Sequence, residues 1–158
     1  MRRVDDPLLA ALKRDLEKYP RQSGYYLVDV VDVSDERNAR YTDAEILDAA
    51  LEELDDSSWA PPSERPQDQS WLDYLATPER AREELVAALV GGPEVGHSIT
   101  TMRARVAEQF LDSYLSLFAR DARFLRGMGL GRREFTFQNG IAVFDSTRVG
   151  AFCVIESD

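Results

Sequence analysis

The chain has 158 residues, 44% hydrophobic and 30% charged, which fits one globular domain. Its formal net charge of −10 opposes direct binding to nucleic acid, which needs a basic surface. The single cysteine, Cys153, excludes a disulfide framework, and no run approaches the ~20 apolar residues of a membrane span. The short apolar run near the N-terminus does not match an export signal, so we predict a single cytoplasmic domain over residues 1–158.

The first third of the chain predicts a strand between two helices. Residues 5–19 combine a capping aspartate, Pro7 at the first helical position and a leucine stripe, which together indicate a helix. Residues 25–33 are aromatic and β-branched, as in a strand. Thr42 followed by Glu45 is a capping-box pattern that begins a second helix, 42–54. The stripe of the first helix consists of Leu8, Leu9, Leu12 and Leu16.

The middle of the chain predicts a loop followed by three helices. Residues 55–69 are rich in proline and polar residues, so we interpret them as an internal loop and the best candidate for a mobile segment. A short helix is expected at 70–76 and another at 77–90, ended by Gly91. Apolar residues at helical spacing predict the longest helix, a central one, over 98–126.

The C-terminal region predicts a β-meander. Asn139-Gly140 between alternating apolar residues indicates a two-residue hairpin turn, which sets Phe135 opposite Phe144 and Phe137 opposite Ala142. A turn at 146–147 then leads into a strand over 148–155 that is apolar on both faces. Such a strand is expected inside the sheet, beside strand 25–33 or a second subunit.

These elements predict an α+β fold, in which four or five helices, including a long central one, pack on a small, mostly antiparallel sheet with a C-terminal β-meander.

Motifs for nucleotide or metal chemistry are incomplete. Residues 91–98 have the outline of a phosphate loop, but His97 replaces the lysine and Pro93 removes a backbone donor, so we predict no nucleotide cofactor. His97 is the only histidine, and it is therefore the only one that a Ser–His–Asp or Cys–His arrangement could use. Cys153 lies in an apolar strand, where a thiol is usually inert. We expect no bound metal.

Two carboxylates interrupt strand 25–33 and are the other catalytic candidates. Asp29 and Asp32 lie on opposite faces, so the functional interpretation applies to one of them at most. A desolvated carboxylate suits general acid catalysis, whereas an ion pair with arginine or a charged sheet edge is a structural alternative that we favour. The hairpin would also place Glu134 opposite Asp145, and Arg148 is expected to form a cross-strand ion pair with Asp145.

Candidate partner-binding residues lie on the second helix and in the loop after it. Glu45, Asp48, Glu52 and Asp55 are spaced by three, four and three residues, which forms one acidic stripe. It is either a solvated face or a docking surface for a basic partner. Trp59, in the proline-rich loop, is the candidate aromatic contact.

These features favour a small intracellular binding or regulatory protein that acts through protein–protein contacts. Its partner would be another protein, with a basic surface in one interpretation, and a homo-oligomer is an open alternative. The incomplete catalytic motifs argue against an enzyme. Two alternatives stay open: a small enzyme or ligand-binding domain that uses carboxylate and arginine chemistry in a pocket between sheet and helices, and a phage-type inhibitor that imitates nucleic acid. Only Lys13 and Lys18 among 19 basic residues are lysines, which suggests a GC-rich bacterial or phage genome.

Overall fold

A computed structural model describes residues 1–21, 24–54, 70–91, 102–126 and 137–156, with only the backbone at 137–139 and 156. Over these residues the fold is α+β, as predicted, with helices packed against an antiparallel six-stranded sheet. The helices are α1 (Pro7–Leu16), α2 (Ser34–Asn38), α3 (Asp43–Leu54), α4 (Pro78–Val90) and α5 (Ala104–Leu115), with a 3-10 helix at Trp71–Tyr74. The strands are β1 (Arg2–Arg3), β2 (Gly24–Asp32), β3 (Leu75–Ala76), β4 (Arg123–Arg126), β5 (Phe137–Phe144) and β6 (Arg148–Glu156).

The sheet order is β1-β2-β6-β5-β4-β3, so β6 lies inside the sheet. Phe152 of β6 is in register with Val28 on one side and with Ile141 on the other. This confirms the prediction that the strand with two apolar faces is interior and lies beside the strand after α1. β4, β5 and β6 form the meander.

Helices cover both faces of the sheet, which explains why β6 is apolar on both. On one face α1, α4 and α5 pack over Val28, Val30, Phe152 and Val154. On the other, α3 and the 3-10 helix pack over Val31, Val149, Ala151, Cys153 and Ile155. Burying each large apolar side chain contributes roughly 1.5–3 kcal/mol. Among the described helices, none is long and apolar enough to cross a membrane.

The predicted caps explain where the helices begin and end. Asp6 accepts a hydrogen bond from the N–H of Leu8, which begins α1. Thr42 and Glu45 form both hydrogen bonds of the capping box before α3. Gly91 ends α4 with a left-handed φ of 76°, which glycine adopts at no steric cost. One residue of the predicted stripe is wrong: Leu8 is exposed.

The predicted long helix over 98–126 is wrong. Only Ala104–Leu115 is helical there, and Arg123–Arg126 forms β4. The carboxylate of Asp145 accepts a hydrogen bond from the N–H of Ala119 at 2.8 Å, which helps to fix the turn between α5 and β4. Apolar spacing could not reveal this, because the acceptor comes from a distant segment. Residues 98–101 lie outside the described residues.

The predicted turn at Asn139-Gly140 is also wrong, since both residues lie within β5. The pairing of Phe137 with Ala142 is excluded, because Phe137 is in register with Glu156. A Cβ on Gly140 would come within 2.3 Å of the Sγ of Cys153 and 2.5 Å of the carbonyl oxygen of Phe152. The glycine therefore permits close packing of two strands rather than a turn. Residues 134–136 lie outside the described residues.

The hairpin turn lies between β5 and β6, as the predicted turn at 146–147 requires. The Oδ1 of Asp145 accepts hydrogen bonds from the N–H groups of Thr147 and Arg148, each at 2.8 Å. The guanidinium of Arg148 instead donates to the carbonyl oxygen of Leu117 at 2.8 Å. The expected ion pair between Asp145 and Arg148 is therefore replaced by a turn cap and a bond to the segment after α5.

Two short elements were not predicted correctly. Residues 70–76, expected as one helix, divide into the 3-10 helix and the edge strand β3, because Leu75 and Ala76 pair with β4. Helix α2 was absent from the prediction, and its five residues bury none of their side chains, so it has no apolar stripe to detect.

Candidate functional site

The outer edge of β2 is covered by β1 only at one end. β1 pairs with the last residues of β2, Val31 and Asp32, and the N–H of Val4 then donates to the carbonyl oxygen of Val30 at 2.8 Å. After this bond the chain turns away into α1. In the part of the chain that the structure describes, no strand lies beside the rest of this edge, 24–29.

Alternate backbone groups of β2 point toward the open edge. Since the carbonyl group of Val30 faces β1, the N–H and C=O groups of Val28 face the same side, while those of Leu27 and Asp29 face β6. Among the described residues, the backbone of Val28 has no hydrogen-bonded neighbour on that side. An unpaired edge of this kind can accept an additional strand.

The carboxylate of Asp29 lies where β1 departs. It accepts a hydrogen bond from the N–H of Val30 at 3.1 Å, so this outward donor is satisfied without a neighbouring strand. The same carboxylate forms ion pairs with Arg3 and, at 3.5 Å, with the Nζ of Lys13. The side chain of Asp29 therefore ends the β1–β2 ladder and joins β2 to α1.

Arg3 connects this point to α3. Its Nη2 donates to the carbonyl oxygen of Glu53 at 2.5 Å and to that of Leu54 at 3.3 Å. These are carbonyl groups of the last turn of α3, where a cation interacts favourably with the helix dipole. The guanidinium thus holds the C-terminal end of α3 beside the open edge of β2.

These elements enclose a groove of about 640 Å³, which we call the β2 groove. The second half of α1 forms one wall, the end of α3 with Arg3 forms the other, and β2 forms the floor. Its lining residues are Arg3, Lys13, Leu16, Glu17, Pro20, Tyr25, Tyr26, Leu27, Val28, Asp29 and Leu54. A concave surface that combines apolar side chains with a few charged groups is typical of a binding site.

The accessible charges of the β2 groove differ along its length. At the Asp29 end, the side chains of Arg3 and Lys13 are each 45% exposed, whereas that of Asp29 is 19% exposed. Glu17, the C-cap residue of α1, lies four residues after Lys13, about 6 Å along the helix axis. It is exposed and forms no ion pair with the described residues. The groove is therefore positive at one end and negative at the other.

The carboxylate of Asp29 is held in ion pairs within the β2 groove. Asp29 lines a cavity, which the enzyme alternative requires, but two cations pair with its carboxylate. The described residues contain no cluster of histidine, cysteine and carboxylate side chains that could hold a metal ion. The contacts of Asp29 match the ion-pair interpretation made from the sequence.

Asp32, the other strand carboxylate, has a local role. Its Oδ1 accepts a hydrogen bond from the N–H of Ser34 at 2.9 Å at the beginning of α2. Hydrogen bonds from the backbone and side chain of Ser34 lower the pKa of Asp32 below its ordinary value. The residue stabilises the turn after β2 and does not line the β2 groove.

The described residues of the acidic stripe differ in their exposure to solvent. Glu45 and Glu52 are exposed on α3, and the carboxylate of Glu45 also caps the helix by accepting from the N–H of Thr42 at 2.8 Å. Asp48 is half-buried and has an interaction partner. Asp55 lies outside the described residues, as do two other predicted site residues, Trp59 and His97.

Arg3 and Lys13, the cations that pair with Asp29, are among the groove residues that sequence analysis missed. Neither stood out, because each lies in an ordinary charged context, and the contact with Asp29 spans 26 residues for Arg3. The one available signal was that Asp29, a charge within an apolar strand, required a cationic partner from elsewhere.

Comparisons with protein-family models, with curated proteins and with solved structures found no match.

Proposed function

We propose that the protein is a small binding or regulatory protein and that its β2 groove binds an extended segment of another protein. The observation that carries the proposal is the edge of β2 at 24–29, where no described strand lies beside it and the backbone groups of Val28 face the β2 groove. An added strand would gain main-chain hydrogen bonds from this edge and side-chain contacts from the walls.

The exposed tyrosine of the groove supports a protein ligand. Tyr25 is 41% exposed on the floor beside Leu27 and the end of α3. Large, partly exposed aromatic side chains are enriched at interfaces because they provide much contact area for little conformational entropy. Its position gives the segment an apolar surface to cover as well as a backbone edge.

The acidic surface of α3 supports a partner with a basic surface. Glu45, Glu52 and Glu53 are exposed on the helix that ends at the β2 groove, in a chain of net charge −10. Such a field raises the association rate of a positively charged protein at low salt. We therefore assign long-range attraction to α3 and the docking contacts to the groove.

The test is selection of random displayed peptides on the purified protein, followed by amide exchange measured residue by residue. A strand added at the edge should protect the amide of Val28, whereas that of Leu27 already faces β6 and should change little. Tyr25→Glu should weaken binding at least about tenfold, and Tyr41→Glu, an exposed tyrosine outside the groove, should not. Peptides that bind without protecting Val28 would refute the proposed function.

A further inference from the structure

We propose that the bound segment runs antiparallel to β2 and carries an acidic, an apolar and a basic residue in that order. This inference rests on the proposed function of the β2 groove and adds the direction and chemistry of its ligand. It depends on the path of β1, the alternation of side chains along the edge, and the charges at the two ends.

The path of β1 indicates the direction. β1 is antiparallel to β2 and runs toward the groove before the chain leaves at Val4. Every pair in the described sheet is antiparallel. A segment that continues this ladder past Val30 begins at the Asp29 end and finishes at the Tyr25 end. Antiparallel bonds are also slightly more stable per residue than parallel ones.

The alternation of side chains assigns a wall to each position of the segment. Side chains opposite Val28 and Tyr26 lie on the α1 side of the sheet, since both of those residues belong to the core under α1. A side chain opposite Leu27 lies on the α3 side, against Leu54 and Tyr25. Three consecutive segment residues therefore meet α1, then α3, then α1 again.

The charges of α1 define the two outer positions. The residue opposite Val28 lies at the positive end, near Lys13 and Arg3, and favours a carboxylate. The residue opposite Tyr26 lies farther along, toward Glu17, and favours lysine or arginine. Lys13 and Glu17 are separated by about 6 Å along the helix, and two strand residues span nearly the same distance. The spacing therefore matches an acidic and a basic residue two positions apart.

The experiment compares two peptides of equal composition, with Asp-Leu-Lys or Lys-Leu-Asp at the centre of identical neutral flanks. Fluorescence anisotropy should give the forward peptide an affinity about tenfold higher, since it gains two ion pairs and avoids two repulsions. The double variant Lys13→Glu with Glu17→Lys should reverse this preference. Lys18→Glu, in the turn after the same helix and outside the groove, should leave it unchanged.

The outcomes separate this inference from the proposed function. Equal affinities with protection of the Val28 amide would overturn the charge order and leave strand binding intact. Absence of protection with either peptide would overturn both. Sedimentation that shows a dimer, broken by Lys13→Glu and restored by the double variant, would assign the groove to a second copy and overturn the inference. If a peptide binds only after residues 58–66 have been replaced by glycine and serine, the natural occupant of the groove is that segment of the same chain. This result would also overturn the inference.

Discussion

The hydroxyl of Tyr114 donates a hydrogen bond to the carbonyl oxygen of Asp29 at 2.9 Å. This bond joins α5, on the sheet face that α1 and α4 also cover, to the strand that forms the floor of the β2 groove. The side chain of Tyr114 is fully buried, and burial raises the pKa of its hydroxyl well above the ordinary value, so the hydroxyl is protonated and can donate at neutral pH.

Removal of this hydroxyl tests its contribution to stability. Tyr114→Phe should lower the free energy of unfolding by about 0.5–1.5 kcal/mol, because one buried hydrogen bond is lost while the carbonyl group of Asp29 retains its partner strand β6. Urea denaturation followed by circular dichroism measures the change. An unchanged midpoint would show that the hydroxyl adds nothing to the packing of its ring.

Gly150 should not tolerate a side chain, because the aromatic rings of α5 and the turn after it lie over it. A Cβ there would come within 2.2 Å of the Tyr114 hydroxyl oxygen and 2.6 Å of the Cζ of Phe118. We expect Gly150→Ala to destabilise the protein by about 1–3 kcal/mol. The double variant with Tyr114→Phe should cost less than the sum of the single changes, since one clash is removed. Additive costs would contradict this contact.

Gly140 should also not tolerate a side chain, and shortening the neighbouring side chain should not relieve the clash. Its Cβ would lie 2.5 Å from the carbonyl oxygen of Phe152 and 2.6 Å from the Cα of Cys153, which are backbone atoms. Gly140→Ala should therefore lower the free energy of unfolding by about 1–3 kcal/mol, and adding Cys153→Ala should not restore it. Full recovery in the double variant would show that only the thiol opposes the new methyl group.

The turn cap of Asp145 predicts acid sensitivity. Burial raises the pKa of Asp145, but hydrogen bonds from the N–H groups of Ala119, Thr147 and Arg148 outweigh it, so the pKa lies below the ordinary value. A carboxylate with a depressed pKa stabilises the fold above its unfolded pKa, roughly 3.9, and this stability is lost as pH falls through the folded pKa.

Asp145→Asn should therefore destabilise the protein near pH 7 and reduce the dependence of stability on pH in the acid range. Thermal unfolding between pH 2 and pH 7 measures both effects. The exposed Asp121→Asn, from the turn before β4, serves as the control and should follow the unmodified protein. Parallel stability curves for the Asp145 variant and the unmodified protein would contradict the turn-cap interpretation.

Asp29→Asn should separate the two roles of this side chain. The amide oxygen can still accept from the N–H of Val30, so the loss of exposed ion pairs should cost less than ~1 kcal/mol. With Arg3 and Lys13 no longer neutralised, the groove should bind the Asp-Leu-Lys peptide more tightly. Asp15→Asn changes the net charge equally from outside the groove and should not alter affinity.

Elements with local signals were predictable from sequence, and elements set by distant contacts were not. The capping box at Thr42 and the helix terminator Gly91 act within a few residues, so α3 and α4 begin or end as expected. Gly140 carried the same local signal as a turn glycine, but its role depends on Phe152 and Cys153 of a paired strand. Sequence spacing does not encode that proximity.

The candidate site also combines one residue that the sequence identified with contacts that it did not reveal. Asp29 was identified from its position in an apolar strand, and its ion-pair role was the favoured alternative. The groove depends on β1 covering only part of β2, which follows from where the chain turns after Val4 and from no pattern within β2 itself. Arg3 and Lys13 reach Asp29 only after β1 and α1 have packed against that strand.

The interior position of β6 determines when β2 can reach its final pairing during synthesis. β2 pairs with a strand about 120 residues later, so a nascent chain that has produced β1, α1 and β2 still lacks the β6 partner of one edge of β2. Until β6 emerges, the apolar residues of β2 are a target for chaperones or for pairing between neighbouring nascent chains. A partner that requires the β2 groove therefore selects chains whose translation has passed β6.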